Sequence, residues 1–178
     1  MSYKIDTSVS FGTRATANSK VPARSGVRNA VEADIEAIVA LLAVMLKESA
    51  YRAIPLHEDK LRAFLRFTST DKNHACLVYQ ARDGRIDGVI LGFVTEHWFS
   101  LEKGVWDLAL FVHPDRRGGI AAGRLWSAFR RWAEAAGAKT LCLGTVAGIA
   151  PDRTRRFYTG LGMTEVGSLF LLDLNRAR

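Results

Sequence analysis

Residues 112–125 read Val-His-Pro-Asp-Arg-Arg-Gly-Gly-Ile-Ala-Ala-Gly-Arg-Leu: a strand end, a tight basic glycine-rich turn and a helix start. This pattern predicts an anion site, because the first amides of a helix have no intrahelical acceptor and the helix dipole adds partial positive charge. Gly118, Gly119, Ala121 and Ala122 keep the backbone open to close approach, and Arg116 and Arg117 add formal charge for phosphate contacts. On its own, such a turn is equally well an arginine-rich bend whose glycines serve only the turn.

A second group is Asp107, a carboxylate inside the otherwise apolar run Val105-Trp106-Asp107-Leu108-Ala109-Leu110. Unpaired burial there is costly, so Asp107 is expected to have a chemical task or a structural partner such as an arginine. Alternation places it on the face of Ala109 and Phe111. Glu96 and His97, near the end of the preceding strand, take that task in place of Asp107, or bind a cationic substrate, or are simply solvated. Cys76 and Cys142 each sit in short apolar segments, which suits small buried hydrophobes better than a disulfide or zinc framework, and no metal site is expected.

The elements that must position these groups follow from periodicity. A short strand over 26–28 leads into Asn29 and Glu32, which form a capping-box pattern, after which Ile35, Ile38, Val39, Leu42, Met45 and Leu46 recur at helical spacing. A second helix is expected over 58–67. Strands are expected over 75–81 and 89–98, turning at Asp83-Gly84, and over 105–112, ending before Pro114. A helix over 120–136 stops at Gly137, and a strand over 139–145, a helix over 152–160 and a final strand over 165–174 complete the order β-α-α-β-β-β-α-β-α-β. Residues 1–24 show no apolar period and read as an arm before a single domain, 25–178.

Composition narrows the class. The 178 residues are 48% hydrophobic and 24% charged, which excludes wholesale disorder, and every apolar run is interrupted by charge before it could span a bilayer. No secretory apolar stretch opens the chain, so the cytoplasm is the expected compartment. Net charge is +7, which favours an anionic partner, either nucleic acid or a phosphorylated cofactor, and is equally that of a solvated basic surface.

The glycine-rich stretch resembles the acetyl-coenzyme A loop of the GNAT superfamily (Gcn5-related N-acetyltransferases), whose motif is Gln or Arg, two residues, Gly, one residue, Gly or Ala. Arg116-Arg117-Gly118-Gly119-Ile120-Ala121 fits in one register. A second sets Arg117-Gly118 on the family's Arg-Gly pair, with Ile120 where a glycine is common. Phe157-Tyr158-Thr159-Gly160-Leu161-Gly162-Met163 is similar to the family's Tyr, two residues, Leu-Gly-Phe motif, with Met for Phe. An Asn often found seven residues before the tyrosine is Pro151 here. Over fewer residues, the Arg-Gly-Gly-x-Ala-Ala loop, Trp132-Ala133 and Gly167-Ser168-Leu169-Phe170 are similar to members encoded in phage and prophage.

The resemblance implies an α/β GNAT fold, a mixed and mostly antiparallel sheet flanked by helices. It implies acetyl-CoA as co-substrate, with its pantetheine arm near Phe111, Val112 and Thr145 where two strands splay. The pyrophosphate would lie on the backbone amides of Arg117, Gly118, Gly119, Ile120, Ala121 and Ala122, with the charge of Arg116 beside them. Tyr158 would be the general acid that protonates the leaving thiolate, or else a core tyrosine beside Phe157 whose hydroxyl satisfies a carbonyl. The implied reaction is direct acetyl transfer to an amine of a small molecule or a peptide, with Asp107 as base. Tyr51, His57, Trp98 and Phe99 would line the acceptor pocket. With a phosphorylated co-substrate, nucleic acid is not needed to explain the charge. A non-catalytic acyl-CoA sensor on the same fold is the alternative, and the residues leave a homodimer open.

Overall fold

The computed structural model describes residues 25–145, 147–172 and 174. The proposed arm, 1–24, lies outside the described residues. Five strands, β1 (Gly26–Asn29), β2 (His74–Gln80), β3 (Ile86–Glu96), β4 (Lys103–Val112) and β5 (Thr140–Cys142), lie in the order β1-β2-β3-β4-β5. Neighbours pair antiparallel from β1 to β4, while β5 joins β4 in parallel. A parallel neighbour needs a crossover, and α3 (Ala121–Ala135) supplies it. Helices α1 (Ile35–Glu48) and α2 (Glu58–Thr70) connect β1 to β2, and α4 (Pro151–Gly160) follows β5.

Each helix buries the stripe that its spacing defines. Ile35, Ile38, Leu42 and Leu65 pack with Cys76, Val78, Val89, Leu91 and Phe111 on one side of the sheet. Leu125, Phe129 and Ala133 of α3 pack with Leu77, Ile90, Val94 and Val105 on the other. Gly92 makes room for this second layer: a Cβ there would press into the Phe129 ring and come within 2.7 Å of the Trp106 carbonyl. Cys76 is buried among the first layer and Cys142 is half-buried. Among the described residues, no helix is long and apolar enough to cross a membrane.

The mixed sheet flanked by helices is the expected architecture, with local differences. The helix after β1 does not start on an Asn29 cap, because Asn29 stays in β1 opposite Leu77. Instead Asp34 accepts the Val31 amide at 2.8 Å and pairs with Arg28 at 2.5 Å, so a short 3-10 turn precedes α1. Strand β5 is three residues long rather than seven. The expected last strand does not form over its described residues: 165–172 carry neither helix nor strand, and Val166, Leu169, Phe170, Leu171 and Leu172 are exposed. A strand laid along β5 would find only a three-residue edge, too short for the ladder bonds that hold a strand in place.

Candidate functional site

The β4–β5 pairing covers only Gly104, Val105 and Trp106 against Thr140, Leu141 and Cys142. Beyond Trp106 the strands part, leaving one edge of β4 open from Asp107 to Val112. A bulge sits at the fork. Leu91 pairs with Ala109 but Gly92 with Asp107, so Leu108 is an extra residue. Strict alternation therefore fails: Asp107 lies opposite Gly92, not on a continuous face with Ala109 and Phe111.

Asp107 has no arginine partner among the described residues. Its Oδ1 accepts the Gly144 amide at 2.9 Å, reaching across the fork to the chain just past β5. Burial pushes its carboxyl up to about 6, against the opposing pull of that amide. Tyr158, on α4, is buried, and its hydroxyl lies 3.5 Å from the Gly144 carbonyl, with its ring 5.7 Å from Phe157. Burial first, and the Asp107 charge second, hold the phenol well above its ordinary range. Gly144 thus joins the two groups, donating its amide to one and facing the other with its carbonyl. No motif in the sequence points to Gly144. The only signal is a glycine at a strand end, where backbone rather than side chain makes the contacts.

Glu96 is not brought to this fork. It is exposed and pairs with Lys103, four residues before Asp107 and about 13 Å along the strand at ~3.3 Å per residue. His97 contacts Thr140 at 3.1 Å and stacks among Phe99 and Trp106.

At the open end of β4, a 3-10 turn (Pro114–Arg116) uses the amides of Arg116 and Arg117, which donate to His113 and Pro114. The free run therefore starts one residue later than expected from Arg117. Among the described residues, no protein acceptor takes the amides of 118–123, and α3 has no side-chain cap. Gly118 has φ +87°, a conformation that disfavours any side chain, whereas a Cβ at Gly119 meets only ordinary contact. Ile120 is the N-cap and is exposed; Ala121 and Ala122 open α3. Such a concave run of free amides between small residues fits a pyrophosphate.

The two loop arginines are already engaged. Arg117 donates Nε to the Val112 carbonyl (3.1 Å), pairs with Glu48 (2.5 Å) and lies 5.0 Å over the Phe111 ring. Arg116 lies 3.7 Å from Asp87, a buried carboxylate that also holds Arg85. Phe111 and Val112 are buried as side chains and contribute the open backbone edge, although one Val112 carbonyl acceptor position is taken. Thr145 follows Gly144, is exposed, and closes a turn by accepting from Gly148. Pro151 opens α4, where the family's Asn is missing. Gly162, with φ +84°, ends that helix, so the Leu-Gly-Met part of the motif anchors the element that carries Tyr158.

The expected acceptor pocket is only half assembled. Tyr51 and His57 line a cleft of about 410 Å³ with Ile54, Pro55, Lys60 and Phe64. Trp98 and Phe99 are not part of it; they lie exposed on the β3–β4 turn.

Comparison with known proteins agrees with this geometry. The model of the acetyltransferase (GNAT) family matches residues 41–163, and no curated protein matches. Among solved structures, the chain is similar to glucosamine-6-phosphate N-acetyltransferase from Arabidopsis thaliana, with 13% identity, TM-score 0.67, and coverage of 85% of this chain and 99% of that one. Similar too is the ribosomal-protein-alanine N-acetyltransferase of Brucella melitensis biovar Abortus 2308, at 17% identity and TM-score 0.61, covering 84% and 99%. AAC(6')-Iy, solved with the bisubstrate analog CoA-S-monomethyl-acetylneamine, matches at 17% identity and TM-score 0.69, covering 85% and 98%. These structural likenesses show a shared fold, while the family match spans more than half of the chain. With a forked β4–β5 pair, a free-amide loop and that match together, this chain belongs to the GNAT family and is an acetyltransferase that uses acetyl-CoA.

Proposed function

We propose that the protein transfers acetyl directly from acetyl-CoA to a primary amine of a small molecule or an exposed peptide, with Asp107 as general base and Tyr158 as general acid. The observation that carries this reading is the meeting of both side chains at Gly144, where β4 and β5 part. Direct transfer requires the amine to lose a proton before its nitrogen attacks the thioester carbonyl, and requires the departing sulfur to gain one. A carboxyl titrating at about 6 is mostly ionised at neutral pH yet basic enough to take the amine proton, through water or directly. A phenol held above its ordinary pKa stays protonated, so a proton is always present for the thiolate. Its 3.5 Å contact to a carbonyl is long enough to exchange for a sulfur acceptor.

In this reading the amides of 118–123 hold the pyrophosphate, and the open β4 edge near Phe111 and Val112 takes the pantetheine arm, with Thr145 on the other arm of the fork. The cleft beside Tyr51 and His57 is the candidate acceptor site, and its mostly apolar walls suit an amine with an apolar or aromatic body. The test is thiol release from acetyl-CoA against a panel of small amines and peptides with free N-termini. Thiol release coupled to an acetylated amine supports the reading. Tight CoA binding without turnover on any amine would favour the acyl-CoA sensor instead.

A further inference from the structure

The positive charge at the cofactor loop is arranged differently from its sequence. Arg116 and Arg117 both face protein carboxylates, Asp87 and Glu48. A third arginine approaches from across the fork: the Nη2 of Arg153, on α4, lies 3.7 Å from the point where a Cβ of Gly118 would sit. Among the described residues no carboxylate lies within salt-bridge distance of Arg153, whereas Arg155, two residues on, pairs with Asp152 and Glu165.

Arg153 also stands where a helix disfavours it. It is the third residue of α4, whose N-terminal end carries partial positive charge, and the N-cap, Ala150, is left-handed with no side-chain cap. A cation in the first turn is disfavoured by the positive end of the helix dipole. An unpaired guanidinium beside uncapped amides on both α3 and α4 is a local concentration of positive potential that an anion between them would relieve.

We propose that Arg153 binds the pyrophosphate of acetyl-CoA from the α4 side, closing the cradle formed by residues 118–123. This rests on the reading that those amides hold the pyrophosphate. It gives α4 a second role beside carrying Tyr158: a direct contact with the donor's phosphates.

The test is calorimetric titration of wild type, Arg153→Gln, Arg153→Lys and the control Arg155→Gln with CoA and with dephospho-CoA, which lacks the 3′-phosphate and keeps the pyrophosphate. A lost hydrogen bond to a charged group predicts that R153Q weakens both ligands by about 10- to 100-fold, R153K weakens both by less, and R155Q binds like wild type. Binding by R153Q equal to wild type, or a loss seen with CoA alone, overturns the proposal. A lower Tm for unliganded R153Q, with R153K binding both ligands like wild type, assigns Arg153 to structure and overturns it too. Wild-type protein that fails to bind either ligand refutes the loop reading itself, a result distinct from any of these.

Discussion

Replacing Asp107 with asparagine separates the cost of its carboxylate from the use made of it. Burial raises the carboxyl from an ordinary 3.8 to about 6 in the folded chain. Between those values the folded state binds more protons than the unfolded one, so stability falls as pH rises from about 4 to 6 and is level above. By linkage, the ionised carboxylate costs about 2 kcal/mol at pH 5 and about 3 kcal/mol at pH 8. Asparagine has nearly the same shape, can still accept the Gly144 amide, and carries no charge to desolvate. The variant should therefore be more stable than wild type, with an advantage that grows by about 1 kcal/mol between pH 5 and pH 8. At roughly 2–4 °C per kcal/mol for a domain of this size, its Tm advantage should widen by about 2–4 °C, read from melting curves at the two pH values. Transfer should slow at the same time. The wild-type rate should fall below pH about 6 as Asp107 protonates, and the variant should lack that limb. A Tm difference that is the same at pH 5 and pH 8, or a variant less stable at pH 8, would refute the argument, since it would mean that the fold stabilises the carboxylate.

Three other outcomes are expected. Tyr158→Phe should lower kcat by ~100-fold or more with little change in cofactor affinity, because only the proton for the thiolate is lost; unaltered turnover on a true acceptor would remove Tyr158 from that role. Acetyl-CoA at ~100 times its Kd should stabilise the wild type by ~2.7 kcal/mol, about 5–10 °C in Tm. Gly119→Glu should abolish that rise, and Gly119→Ala, whose Cβ meets only the Arg116 carbonyl at 3.5 Å, should keep most of it; a glutamate variant that still shows the full rise would disprove the cradle. Gly92→Ala should destabilise the protein by ~1–3 kcal/mol, because the new methyl collides with the Phe129 ring and the Trp106 backbone; denaturant midpoints would check it, and a neutral result would show that Phe129 has room to move.

Local chemistry was legible wherever a residue's meaning depends on near neighbours in the chain. The apolar stripes of α1 and α3, the turn before α3, the halt at Gly162 and the family resemblance of the loop and of the Tyr158 segment could all be read from spacing and residue type. Helix periodicity and turn conformation are set within a few residues, so the sequence determines them directly. Asp107 could be singled out for the same reason, as a charge in an apolar strand. Its surroundings could not. The partner that holds it, the Gly144 amide, lies 37 residues away and exists only because β4 and β5 part after three pairs. The bulge at Leu108, which turns Asp107 away from the face that alternation assigns, depends on the register with β3. Strand identity at the C-terminus was misread for a related reason: β-forming residues in 165–174 express a preference, but a strand needs an edge, and β5 leaves too little. Charge at the loop followed the same division. Two adjacent arginines are visible in the sequence, yet whether each is free for phosphate is decided by Glu48 and Asp87, and the unpaired guanidinium that approaches Gly118 arrives from α4. Sequence fixes which groups are present, and tertiary structure decides which are paired, because ion pairs and desolvation act through space between residues remote along the chain.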